Sequence, residues 1–134
     1  MKPNKQDEKM CLDAVQYLLE QVNFPVHIEN IALALWLADA LHKFLFDREV
    51  LNTIPFKKAD YFKSIEYIKS LKRLLNKNKA IFNKLENGVY CLVKKDLSTN
   101  KQLLNYDGLS QSDMLIIKKV VSILPLHDLF SIFN

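Results

Sequence analysis

The chain has 134 residues, of which 49% are hydrophobic and 25% charged, and it contains only two Gly and four Pro. Its length fits a single domain over residues 1–134. The shortage of Gly and Pro argues against disorder and against a fold made of many turns and hairpins. We therefore expect one α+β domain that is mainly α-helical.

Positive charge is concentrated in residues 57–84. This segment holds nine Lys/Arg and two Asp/Glu, whereas residues 1–56 hold five and eight, and residues 85–134 hold five of each. Such a segment is typical of a solvated helix face, of a surface for an acidic protein, or of a nucleic-acid-binding surface. The candidate basic patch consists of Lys57, Lys58, Lys63, Lys69, Lys72 and Arg73.

The first helix is predicted over residues 7–22, because apolar residues recur there every three or four positions. Pro25 ends it, since a proline disfavours helical geometry in the residue before it. A short connection then leads into the next helix. Asn30 is the favoured N-cap of that helix, and His27 is the alternative.

The central helix is predicted over about residues 30–46. Thirteen of the 16 residues in IALALWLADALHKFLF are apolar, and a helix that is apolar on nearly all sides belongs inside a domain. The polar residues Asp39, His42 and Lys43 interrupt this run too early for a bilayer crossing, which needs about 20 apolar residues. We expect four to five helices packed around this central helix.

Aromatic residues are frequent in the same helix. Trp36 and the pair Phe44 and Phe46 allow either a base-stacking platform or core packing. Helical spacing within an apolar run favours the core, and Leu45 is expected there as well.

Asp39 and His42 lie three residues apart and therefore share one face of the helix. Three roles are open for this pair: a hydrogen-bonded structural contact, a polar notch facing a partner, or a catalytic or metal site. The structural role is favoured, because buried polar groups are normally satisfied by neighbours and a metal site needs further ligands. No nucleophile elbow, phosphate loop, dinucleotide fingerprint or Cys/His metal pattern is present. We expect neither an enzyme nor a cofactor.

The second half of the chain is predicted to contain a basic amphipathic helix from Lys58 to about Lys77, after an irregular or edge-strand segment at residues 50–56. Asn87-Gly88 predicts the type I′ turn of a small hairpin at about residues 80–94. Ser110 and Asp113 resemble a capping box at the start of a helix that runs to about Ile123. After Pro125, a short helix is expected with Leu126, Leu129, Phe130 and Phe133 packed inward.

The expected location is the cytoplasm. The first residues, MKPNKQDEK, are polar, and no apolar run follows within signal-peptide distance. Cys11 and Cys91 show neither metal spacing nor the density of a disulfide scaffold. We expect both to be reduced, buried thiols.

The stretch LWLADALH, from Leu35 to His42, resembles the Panacea, or SocA-like, antitoxin domain. The hallmark of that family is a helix reading approximately leucine-leucine-tyrosine-x-alanine-aspartate-x-x-histidine. Segments like DAVQYLLEQV, REVLNTIPF and LSQSD occur in the same order in that family, so that the similarity covers most of residues 8–124.

This resemblance implies a mainly helical α+β cytoplasmic domain of bacteria or phages that binds and neutralises a protein toxin, usually one encoded beside it. The matching motif positions are Trp36, in place of the usual tyrosine, Asp39 and His42. The family commonly has tyrosine-glycine after its histidine helix, where this chain has Phe46-Asp47. It also has a glycine-proline turn soon afterwards, to which Ile54-Pro55 corresponds at best.

Overall fold

The computed structural model describes residues 5–22, 24–47, 65–93 and 108–123. In these ranges the chain is mainly helical, with four α-helices and a small three-stranded antiparallel sheet, as the sequence predicts. The helices are α1 Lys5–Val22, α2 Ile28–Phe46, α3 Ile65–Lys77 and α4 Gln111–Ile123. The strands are β1 Val26–His27, β2 Phe82–Lys84 and β3 Val89–Leu92.

Helix α2 is the centre of the packing, as predicted from its apolar sequence. It contacts α1, α3, α4 and β1, and its residues from Ile28 to Leu35 are buried except Glu29. The surrounding helices present narrower apolar faces. Leu18 of α1, Leu71 of α3 and Ile117 of α4 are each almost completely buried in the common core.

The start of α2 differs from the sequence prediction. His27, in an extended conformation (φ −68°, ψ 145°), is the N-cap, and its Nδ1 accepts a hydrogen bond of 3.1 Å from the backbone N–H of Glu29. Asn30, which was favoured for this role, lies inside the helix and is buried. The reason is tertiary: Val26 and His27 pair with β3, so that the backbone remains extended up to His27.

The end of α2 also differs from the prediction. Phe44 is 84% exposed, Leu45 55% and Phe46 47%, so the expectation that this part of the helix is core was wrong. The last residue of α2 that is fully enclosed is His42. The apolar sequence of α2 therefore extends beyond the elements that bury the first half of this helix. Trp36 is half-buried and packs against the core.

The sheet has the order β1-β3-β2, with both pairs antiparallel. The predicted hairpin is present: Phe82 lies opposite Leu92 and Lys84 opposite Tyr90. Asn87 (φ 62°) and Gly88 (φ 74°) both have the positive φ that a type I′ turn requires. The carbonyl of Val89 accepts a hydrogen bond of 2.7 Å from the N–H of Leu85, so three residues, Glu86 to Gly88, separate the hydrogen-bonded pair at the end of the hairpin. The two-residue strand β1 is too short to give a sequence signal.

The described part of α3 is amphipathic, as predicted: Leu71 and Leu75 are buried, while Lys69 and Arg73 are exposed. The predicted first turns of this helix, the segment 50–56 and the short helix at 126–133 lie outside the described residues. No helix of the described ranges is long and apolar enough to cross a membrane.

Both cysteines are free thiols. Cys11 is fully buried in α1, as expected. Cys91 is only half-buried in β3, so the expectation of burial was wrong for this residue. Strand β3 is only partly covered by its neighbours, as its burial pattern shows.

Candidate functional site

The three residues of the sequence motif lie on α2 in different environments. His42 is fully buried, whereas Trp36 and Asp39 are half-buried. The carboxylate that contacts His42 comes from Asp113, at the start of α4. The sequence singled out His42 correctly as a polar group near the core but placed no residue of α4 beside it.

His42 is held by two residues of α4, and we call His42, Ser112 and Asp113 the His42 cluster. Its Nε2 lies 3.1 Å from Oδ1 of Asp113 and 3.0 Å from Oγ of Ser112. The side chains of His42 and Asp113 are each 1% exposed. The imidazole ring also packs against Phe46, with 4.8 Å between ring centroids. The cluster therefore joins the second half of α2 to the first turn of α4.

Asp113 has a second function in the same place. Its Oδ2 accepts a hydrogen bond of 2.9 Å from the N–H of Ser110, and its own N–H donates to Oγ of Ser110 over 3.1 Å. This reciprocal pair is the predicted capping box, with aspartate where glutamate is more usual. The two carboxylate oxygens are thus divided between the helix cap and His42. A carboxylate in the first turn is also favoured by the helix dipole.

The geometry of the His42 cluster is that of a structural contact. In a Ser-His-Asp triad, the serine and the carboxylate bond to opposite nitrogens of the imidazole. Here Ser112 and Asp113 both approach Nε2. The ring is also enclosed, with His42 showing no exposed surface, which leaves a substrate no access to it. The described residues hold no group of three His, Cys, Asp or Glu side chains that could bind a metal ion.

Asp39 lies near Cys11 of α1. Burial raises the pKa of the Cys11 thiol, and the negative charges of Asp39 and Glu8 raise it further. A thiol in such surroundings stays protonated and is a poor nucleophile. Cys11 is therefore not placed for nucleophilic chemistry.

A second buried carboxylate was missed by sequence reasoning. Asp13 of α1 is 2% exposed, and its Oδ2 accepts a hydrogen bond of 2.8 Å from the N–H of Gly108. Nζ of Lys9 lies 2.7 Å from Oδ1 and 2.9 Å from Oδ2. The i, i+4 spacing of Lys9 and Asp13 was a visible signal, but the contact with Gly108 was not. Asp13 fixes the chain just before α4 against α1.

Three members of the candidate basic patch are described, and all are on α3. Lys69 and Arg73 are exposed, and Lys72 is half-buried. Lys57, Lys58 and Lys63 lie outside the described residues.

A cleft of about 500 Å³ lies between α3 and the hairpin. Exposed Lys79 and Lys84 border it, and its lining includes Phe82 and Tyr90. The hydroxyl of Tyr90 donates to Oδ1 of Asn76 over 3.0 Å at this cleft.

An apolar groove lies between the second half of α2 and the end of α4. Its volume is about 360 Å³, and every residue that lines it is apolar. The lining residues are Leu37, Ala40, Leu41, Phe44, Val120 and Ile123. The sequence predicted that α2 is buried on nearly all sides, so it gave no sign of a groove along this helix.

Comparisons of this chain with protein-family models, with curated proteins and with solved structures found no match. The likeness to the SocA-like antitoxin domain rests on the sequence motif alone and stays a prediction.

Proposed function

We propose that this chain is a non-enzymatic, SocA-like antitoxin domain that binds and neutralises a partner protein in the cytoplasm. The single observation that carries the proposal is a run of exposed apolar side chains at the end of α2. This run, which we call the apolar patch, consists of Phe44, Leu45 and Phe46, with exposed fractions of 84%, 55% and 47%.

The apolar patch comes directly after the buried contact. Phe44, Leu45 and Phe46 lie in the last turn of α2, two to four residues after His42. The His42 cluster therefore holds the helix that carries the patch against α4. Large apolar side chains grouped on a surface are typical of protein interaction sites, and a preorganised patch binds with a smaller loss of conformational entropy.

The turn after α2 supports the same proposal. Asp47 adopts the left-handed conformation (φ 57°, ψ 29°), and its N–H donates to the carbonyl of Lys43 over 2.9 Å. Glycine takes this conformation most readily at the end of a helix, and glycine is what the resembled family commonly has at the corresponding place. Aspartate is among the few other residues that tolerate this conformation. The helix ending is thus formed without the glycine.

The test is co-expression of the tagged chain with the product of the adjacent gene. We expect the chain to restore growth to cells producing that protein and to co-purify with it. Phe44→Asp and Leu45→Asp should abolish both effects, because a charge would be buried in the interface. Leu85→Asp is the matched control, since Leu85 is also exposed (40%) but lies in the hairpin.

Thermal unfolding of each variant separates lost binding from lost folding. A surface leucine should be replaceable with a change in stability of about 0.5 kcal/mol or less. The proposal is wrong if the chain neither protects the cells nor captures the neighbouring protein, or if the apolar-patch variants bind as well as Leu85→Asp.

The alternative is a nucleic-acid-binding helical domain that uses the basic segment 57–84. The observation in its favour is the exposure of Lys69 and Arg73 on one side of α3. This alternative predicts affinity for nucleic acid that falls steeply with salt and is weakened by Lys69→Gln with Arg73→Gln. Exposed Lys118 and Lys119 of α4 provide the matched control pair. Absence of binding at low salt would exclude it.

A further inference from the structure

The cleft between α3 and the hairpin carries a lysine on each of two sides, and we call it the basic cleft. Asn76 of α3 and Lys79 of the turn that follows line one side, and Asn83 and Lys84 of β2 line the other. Both lysines are exposed, and no Asp or Glu is among the described residues that line the cleft. The basic cleft is therefore suited to a negatively charged ligand.

Apolar residues form the rest of the lining. Leu75, Phe82 and Tyr90 border the same space. Its volume of about 500 Å³ lies within the range of about 300–1,000 Å³ that is usual for ligand sites. A ligand that carries apolar groups as well as negative charge would match this lining.

Positive charge continues from the basic cleft along α3. Arg73 and Lys69 precede Asn76 by three and seven residues, and this spacing places the three side chains on the same side of the helix. Both Arg73 and Lys69 are exposed. The charged surface is thus longer than the cleft itself, which favours an extended acidic chain over a small anion.

The outer edge of β2 can pair with such a chain. Among the described residues, β2 pairs with β3 alone. Leu85 bonds to Val89, and Lys84 lies opposite Tyr90. Because bonded and non-bonded pairs alternate in an antiparallel ladder, the N–H and C=O of Lys84 point away from β3. An edge with free N–H and C=O groups is a template for an extended peptide, and Lys84 places this edge at the basic cleft.

The charges determine which kind of strand fits. A second copy of β2 would bring lysines of like charge together, which is destabilising. Nucleic acid would match the charge but has no peptide groups to pair with the strand edge. A strand that carries carboxylates satisfies both the edge and the two lysines.

We propose that the basic cleft binds an extended acidic peptide segment, which pairs with the outer edge of β2 and places its carboxylates beside Lys79 and Lys84. The apolar side chains of the segment contact the apolar part of the lining. This inference does not depend on the antitoxin function, because the basic cleft shares no residue with the apolar patch.

The test is fluorescence anisotropy of a labelled peptide of alternating glutamate and valine, titrated with the full chain at low salt. We expect saturable binding, which Lys79→Glu with Lys84→Glu should weaken by about tenfold or more. Lys118→Glu with Lys119→Glu, an exposed pair on α4, is the matched control and should bind like the parent chain. Thermal unfolding checks that both variants are folded. Absence of binding by the parent chain, or equal weakening in the two variants, would overturn the proposal.

A second experiment leaves the protein unchanged and separates strand pairing from attraction of charge alone. N-methylation of the peptide amides keeps the charge but removes the main-chain donors, and it should weaken binding by about tenfold, as expected for the loss of about two hydrogen bonds. Deuterium exchange of the Lys84 amide should slow when the unmethylated peptide binds.

Three results would each contradict strand pairing with an acidic peptide. These are equal affinity for the N-methylated peptide, unchanged exchange of the Lys84 amide, and tighter binding of a thymidine oligonucleotide that is lost in Lys79→Glu with Lys84→Glu. The last result would assign the basic cleft to nucleic acid instead.

Discussion

His42 and Asp113 form a buried contact of 3.1 Å that ties the central helix to the first turn of α4. The two side chains are each 1% exposed, so the contact is shielded from water. Asp113 also caps the helix that carries it. One carboxylate thus both starts α4 and positions it against α2.

Replacing either partner of this contact should destabilise the protein strongly. We expect His42→Ala or Asp113→Ala to lower the free energy of unfolding by about 3–5 kcal/mol, because a buried polar pair is broken and the remaining group loses one of its partners. Ser110→Ala should cost only about 1 kcal/mol, since it removes the cap and leaves His42 bonded. Urea unfolding measures these differences. A cost for Asp113→Ala no larger than that for Ser110→Ala would contradict this account.

Gly108 is required by close packing rather than by its backbone angles. A Cβ at this position would lie 2.8 Å from Oδ2 of Asp13 and 3.1 Å from Cα of Met10. The contact with the α1 backbone is difficult to relieve, so Gly108→Ala should destabilise the protein by about 1–3 kcal/mol. Thermal or urea unfolding provides the measurement. The double variant Gly108→Ala with Asp13→Ala should show a non-additive cost, whereas additivity would exclude a direct clash.

Asp47 ends α2 in a conformation that glycine adopts more easily. We expect Asp47→Gly to raise the free energy of unfolding by about 0.5–1 kcal/mol, because the steric cost of the side chain disappears. Asn87→Gly is a matched substitution, since Asn87 has nearly the same angles (φ 62°, ψ 29°) in the hairpin. Equilibrium unfolding in urea tests both. A loss of stability in Asp47→Gly would show that its side chain makes a compensating contact.

The two thiols should differ in reactivity. Cys11 is fully buried, and its pKa is raised mainly by that burial, whereas Cys91 is half-buried. A maleimide reagent should therefore modify Cys91 in the native protein and Cys11 only after unfolding. Intact-mass analysis counts the modified thiols. Cys91→Ser serves as the control and should show no modification in the native state; rapid labelling of Cys11 there would contradict its burial.

Stability should fall at high pH, partly because of Tyr90. Burial raises the pKa of Tyr90, and its hydroxyl donates a hydrogen bond to Oδ1 of Asn76. Above pH about 10 the unfolded chain loses the phenolic proton while the folded chain retains it, so the unfolded state binds fewer protons and stability decreases with rising pH. The contribution is complete below the unfolded pKa and is lost as the pH rises through the folded pKa.

The measurement is urea unfolding at several pH values between about 9 and 11. Tyr90→Phe should show a shallower decrease than the parent protein. It should also be less stable at neutral pH by about 1 kcal/mol, because the bond to Asn76 is lost. Burial raises the pKa of Tyr17 as well, and Tyr17→Phe provides the comparison. An unchanged slope in Tyr90→Phe would show that other groups cause the alkaline loss.

Local sequence features determined much of the fold. The helical spacing of apolar residues determined α1 and the described part of α3, the Asn87-Gly88 pair determined the hairpin, and Ser110 with Asp113 determined the start of α4. These features depend on neighbouring residues, whose interactions are visible in the sequence. The apolar character of residues 31–46 likewise identified the central helix.

Only the tertiary structure decided where the burial of that helix ends and which residues it contacts. Phe44, Leu45 and Phe46 are as apolar as the residues before them, but burial depends on how far the neighbouring helices extend. His42 meets Asp113, and Asp13 meets Gly108, across long distances in the chain. Periodicity shows which face of a helix is apolar, whereas the contact made by that face is set by the packing of the whole domain.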